Sequence, residues 1–226
     1  MVVKMNLWDI LFGGTPGSDD EPDSAQAQDP VLTTLAGTFH VDLGSACDEL
    51  PGATGLFGQS PASPIPVNGP AGESVYLNRL RSHHGFRFLY HRLRNVFSPV
   101  TPFPVDEFEL VSADGTEWLR LFFDMYHPRR SRQAPTALTL TGWQTMDAKA
   151  QTLCKMDFFG AAVRLTRFPL DLPEAVNRNR IIRGLAPELG RYFADQIRAC
   201  LASRPPAVWN RPPALIGKTP DDSRGG

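Results

Sequence analysis

Cysteine is scarce in this chain. Cys47, Cys154 and Cys200 are widely spaced and form no CxxC pair. An odd, scattered set offers no disulfide framework and points to a reducing compartment, so a cytoplasmic protein is expected. Long apolar runs are missing too. The stretch 7–12 is interrupted by Asp9, too short for a secretion signal and far too short to span a membrane, and no later run is long enough either. A net charge of −1 argues against bulk attraction to nucleic acid or a membrane surface. The chain also lacks GxSxG, GxGxxG and GxxxxGKS/T, so neither a nucleophile elbow nor a common nucleotide loop is present. No catalytic residue and no cofactor is assigned from these patterns.

What is present begins with Asp114-Gly115, set between two alternating apolar runs. The pair signals a two-residue type I′ turn, which needs positive φ at both central residues. With Ala113 opposite Thr116, the register sets Phe108 against Leu121, Leu110 against Leu119, Val111 against Trp118 and Glu109 against Arg120. Apolar pairs then share one face and the charged pair takes the other, as cross-strand pairing favours. The segment 86–97 fits a helical and a strand pattern. Its aromatic content and the hairpin downstream favour a strand, ended by Pro99, Pro102 and Pro104. The expected fold is α+β: an antiparallel sheet built on the 106–127 hairpin, with C-terminal helices packed on one face.

The remaining elements are read from period and punctuation. A short helix is expected over 73–81, a return strand over 136–141, a helix over 146–158 and a strand over 161–168. Pro173 marks a helix start and Gly184 its C-terminal cap. A second helix from about 187 carries an apolar stripe of Leu189, Tyr192, Phe193, Ile197, Cys200 and Leu201. A strand is also expected within 32–43.

Four regions follow. Residues 1–30 combine a short apolar motif with a flexible acidic tether, whose composition cannot bury enough surface to offset its ordering entropy. Residues 31–72 read as an irregular arm rich in proline and glycine. Residues 73–203 form the globular α+β part, and 204–226 a proline-rich tail. Charge is unevenly divided: Lys4 is the only Lys or Arg among the first fifty residues, whereas the chain from Arg79 onward is net basic. Such asymmetry suggests an acidic arm lying over a basic surface.

Two groups of residues are candidates for function. Leu7, Trp8, Ile10, Leu11 and Phe12, together with Trp209, could dock on a protein partner, on a second copy or in a groove of the same chain. The corner His127, Arg129, Arg130 and Arg132, with His91 on the preceding element, could bind a small anion such as phosphate or carboxylate. The bland alternative is a loop whose arginines pair with the chain's own acids. His83, His84, His91 and His127 lack the paired spacing of a metal site, so no metal is assigned. Arg79, Arg81, Arg87, Arg92 and Arg94 alternate with Tyr76, Phe86, Phe88 and Tyr90, a pattern that can hold single-stranded nucleic acid. The charge balance and the acidic arm weigh against that. The function expected is a non-catalytic binding or assembly protein that docks through its tails. The alternative is an enzyme or ligand-binding domain acting on a small anion at the 127–132 corner.

Overall fold

A computed structural model describes residues 45–156, 160–161, 165–182, 184, 195–196, 198–199 and 202. The proposed docking motif at Leu7–Phe12, Trp209, the strand within 32–43 and the apolar stripe beyond 187 lie outside these residues. The content is mixed α and β, and most strand pairs are antiparallel. No helix among the described residues is long and apolar enough to cross a membrane.

The main sheet has five strands: β1 (Ile65–Pro66), β3 (Phe88–Val96), β4 (Val105–Ser112), β5 (Trp118–Asp124) and β7 (Gly160–Ala161). Their order is β1-β5-β4-β3-β7. The three long central strands pair antiparallel, and the two-residue edge strands β1 and β7 pair parallel to their neighbours. A separate pair joins β2 (Leu80–Arg81) to β6 (Thr139–Leu140). The return strand read over 136–141 thus narrows to Thr139–Leu140 and pairs with β2. Within 86–97, Phe88–Val96 form a strand, as the aromatic content indicated.

The hairpin register is the one the alternation dictates: Phe108 faces Leu121, Glu109 faces Arg120, Leu110 faces Leu119 and Val111 faces Trp118. The turn is of a different type. Gly115 has φ +70°, whereas Ala137 is the only non-glycine with positive φ among the described residues. Asp114 therefore does not take the conformation a type I′ turn requires. The amide of Gly115 donates to the Ser112 carbonyl, closing a type I-like turn with glycine in the left-handed region after it. The Asp114 side chain accepts bonds from Ser112 Oγ, Thr116 N and Thr116 Oγ1, which explains aspartate there.

Both faces of the sheet are covered, so all eight residues of β4 are buried. One face carries Tyr90, Phe108 and Phe123. Helix α1 (Gly69–Arg79) packs on it through Tyr76, whose ring meets Phe123 edge-on at 5.5 Å. This helix starts earlier than the 73–81 reading, with Pro70 in its first turn. The other face carries His91 and Trp118 and is covered by Phe168, Leu172 and Val176. Those residues belong to the turn at 166–170 and to α3 (Leu172–Ile182), which follows α2 (Ala148–Met156). The strand expected over 161–168 does not extend to its end: residues 165–168 form coil and turn, and of this stretch Gly160–Ala161 is what pairs with β3 among the described residues. Helix α3 ends before Gly184, φ +70°, whose amide donates to the Ile181 carbonyl. Ile65 and Val67, within the stretch read as irregular, belong to the same core.

Candidate functional site

The carboxylates of β4 do not face water. Glu109 is 1% exposed and accepts bonds from Trp118 Nε1 at 3.0 Å and, at 2.9 Å, lies against His91 Nε2. The other nitrogen of His91 accepts the Leu165 amide at 3.0 Å, and its ring stacks on Phe168 at 4.2 Å, interplanar angle 5°. Arg120 reaches past its cross-strand partner to Glu107 at 2.6 Å, which Arg94 also contacts at 2.8 Å. Every atom of His91 able to bond is therefore engaged by protein.

His91 and His127 are not brought together. His91 lies level with Arg120 on β5, four residues before Asp124, or roughly 13 Å of strand. Beyond β5 the chain turns through the basic corner. His127, Arg129, Arg130 and Ser131 are all buried there, while the Arg132 side chain is 47% exposed. The anion at this corner is the chain's own. Asp48 Oδ1 accepts from Arg129 Nη1 at 2.6 Å and from the Arg132 amide at 2.8 Å, and its second oxygen lies 3.3 Å from Arg132 Nη2. Burial alone would push the Asp48 carboxyl up, but the bonds from Arg129 and Arg132 outweigh it and bring its pKa down to about 2. Ser131 Oγ donates to the Asp48 carbonyl at 2.7 Å. Arg130 turns elsewhere, donating to Asn68 Oδ1 at 3.2 Å.

This clamp holds Cys47 against His127. The Cys47 sulfur lies 4.0 Å from His127 Nδ1, and the Ser45 carbonyl lies 3.0 Å from the same nitrogen. His127 Nε2 is 3.2 Å from Asp124 Oδ2, within ion-pair distance though poorly aligned for a hydrogen bond. Burial pushes the Cys47 thiol up, and the Asp48 and Asp124 carboxylates add to that. A Ser45 hydrogen bond and the Arg129 charge pull the other way without cancelling it. The resting sulfur is thus a thiol.

His127 and Asp124 line a cavity of about 340 Å³. Its apolar walls are Leu50, Pro51, Val100, Pro102, Phe103 and Tyr126, with Ser45 and Thr101 adding hydroxyls. Phe103 and Tyr126 meet ring to ring at 4.3 Å. Burial, with the carboxylates of Asp106, Asp124 and Glu73, raises the Tyr126 phenol, so it keeps its proton and can donate. In the sequence Cys47 stands out only as one of three widely spaced cysteines. Its histidine stands 80 residues away, beyond the reach of any short motif.

The basic-aromatic series lies largely inside the protein. Arg79, Tyr76, Phe88 and Tyr90 are each no more than 1% exposed. Burial lowers Arg79 to about 10 and Arg81 to about 9. Cys154 lies in the same interior, its thiol also pushed up by burial. Among the described residues no group of three or more His, Cys, Asp or Glu is placed to hold a metal ion. Compared with known proteins, the chain matches no family model, no curated protein and no solved structure.

Proposed function

We propose that this protein binds a small, largely apolar molecule carrying one or two hydrogen-bonding groups, in the cavity beside Tyr126 and His127. The supporting observation is the cavity itself. About 340 Å³ of space, walled by aliphatic and aromatic side chains, meets a histidine–carboxylate pair and two hydroxyls. Concave apolar sites with a few convergent polar groups are where small ligands bind. This keeps the ligand-binding alternative at the 127–132 corner but changes the ligand. An external phosphate or carboxylate would have to displace Asp48 from Arg129 and Arg132, so a neutral ligand fits better.

Thermal unfolding in the presence of phenol, indole and methyl benzoate tests this reading. A saturable rise in melting temperature is expected by mass action. Thr101→Trp, which places a ring in the cavity from a partly exposed loop, should abolish the rise. No rise with any of the three, or a rise that Thr101→Trp leaves intact, overturns it.

A second reading is the tail-docked binding or assembly protein, with partner contact or self-association through Leu7–Phe12 and Trp209. One observation favours it: the bonds from Asp48 and Ser45 anchor the base of the N-terminal arm beside an apolar cavity. Sedimentation of the full chain against one lacking residues 1–30 tests the self-association form. Identical monomeric behaviour removes it.

A further inference from the structure

We propose that Asp124 selects the ligand of the cavity: the bound molecule carries a hydrogen-bond donor, an O–H or N–H group, that it gives to Asp124 Oδ2 beside His127 Nε2. The proposal rests on the cavity reading above and adds the chemical class of the ligand, a small neutral phenol, alcohol or N–H heterocycle.

Three observations support it. The first is which bonds are already made. Asp124 is 1% exposed and lines the cavity. Its Oδ1 accepts the Tyr126 amide at 3.1 Å. Its Oδ2 accepts no hydrogen bond among the described residues and lies 3.2 Å from His127 Nε2, which has no hydrogen-bond partner either.

The second is the state of the ring. His127 is 4% exposed and lines the same cavity. The Ser45 carbonyl at 3.0 Å can only accept, so Nδ1 of His127 is a donor. In the neutral ring Nε2 is then an acceptor, set beside a second acceptor, and neither can serve the other. In the protonated ring Nε2 carries a hydrogen that is poorly aligned with Oδ2. Both states leave Oδ2 to take a hydrogen from elsewhere. A ligand hydroxyl suits both, since its oxygen can also accept from Nε2 when the ring is charged.

The third is the remainder of the lining. Leu50, Pro51, Val100, Pro102 and Phe103 bring no hydrogen-bonding side chain. The hydroxyls of Ser45, Thr101 and Tyr126 both give and take, so they do not tell a donor from an acceptor. A carboxylate only accepts. A molecule with the same body but no donor would displace water from Oδ2 and strand it, which carries the desolvation cost of a buried acceptor. About 340 Å³ lies at the small end of ligand sites, which suits a body of one ring.

Phenol, anisole and toluene share a ring and differ at one substituent. Their apparent affinities for the full chain are measured from thermal unfolding at increasing ligand concentration. Phenol should bind at least about tenfold more tightly than either of the others. A purely apolar cavity would give the opposite order, with toluene first, because the hydroxyl must be desolvated. Asp124→Asn keeps an oxygen for the Tyr126 amide and puts an NH2 group in place of Oδ2, so the preference for phenol should vanish. Should Asp124→Asn not fold, phenol, 3-fluorophenol and 3,5-difluorophenol are compared on the parent chain, each as the neutral molecule. Affinity should rise along that series as the hydroxyl becomes a stronger donor. Anisole or toluene binding as tightly as phenol, a preference that survives Asp124→Asn, or equal affinities across the fluorinated series overturns the proposal and leaves the cavity reading intact. Failure of phenol and methyl benzoate alike to bind, or phenol binding that Thr101→Trp does not remove, overturns the cavity reading and this proposal with it.

Discussion

Two histidines of this chain each sit beside a carboxylate, and both rings are buried: His91 with Glu109 at 2.9 Å and His127 with Asp124 at 3.2 Å. Their surroundings separate them. His91 is stacked on Phe168, its second nitrogen is occupied by the Leu165 amide, and its carboxylate also serves Trp118. His127 has a thiol and a carbonyl at its second nitrogen and a cavity along one side. A buried histidine–carboxylate pair is thus scaffold or chemistry according to what meets the other ring nitrogen. A backbone amide fixes the ring as a structural acceptor. A carbonyl, which can only accept, makes Nδ1 of His127 a donor instead.

The largest effect that can break this contrast is expected at Glu109. Glu109→Ala removes one acceptor and strands two donors, His91 Nε2 and Trp118 Nε1, in a layer where both side chains are almost fully buried. Breaking a buried pair of this kind costs about 3–5 kcal/mol. Chemical denaturation should show the loss, whereas Asp124→Asn, next to a cavity, should lose less than half as much. Equal losses would mean that both pairs are scaffold.

How much of this could be read from the sequence depends on distance along the chain. The hairpin register is local: a turn of four residues and period-two alternation set it, and Phe108–Leu121 through Val111–Trp118 pair accordingly. The turn type was misread because Asp-Gly also suits a turn in which only glycine takes positive φ. Burial of Glu109 was not legible from β4, since the cover on its face comes from 165–182, a segment whose packing no local pattern states. Asymmetry of charge did foreshadow one contact: an acid of the N-terminal half, Asp48, lies on the basic corner. What it could not reveal is that Cys47, one residue before that acid, would be carried to His127.

A middle-sized effect sharpens the contrast from the far end of β5. Gly115 has φ +70° at the hairpin turn, a conformation β-branched residues resist. Gly115→Val should cost roughly 1–3 kcal/mol of stability. Stabilisation by ligands of the cavity should be unchanged in this variant, because Tyr126 and His127 follow β5 at its other end. A melting temperature equal to the parent's would show that the turn tolerates the strain or relaxes around it.

The smallest stability effect is expected at Asp48, and it carries a pH signature. The folded carboxyl has a pKa of about 2, against an ordinary value of 3.8, because the bonds from Arg129 and Arg132 outweigh its burial. A depressed folded pKa means that the unfolded chain binds the proton more readily. The contribution of Asp48 is therefore fully present above about pH 4 and is lost as pH falls through about 2. Asp48→Asn keeps the shape but removes the charge. Since the Asp48 side chain is 33% exposed, solvent screening holds the difference to about 1 kcal/mol at pH 7. Stability measured for both proteins from pH 7 to pH 2 should give curves that run parallel above pH 4 and converge below it. Curves that stay equally separated down to pH 2 would show that the carboxylate charge plays no part in fastening residues 45–48 to the corner.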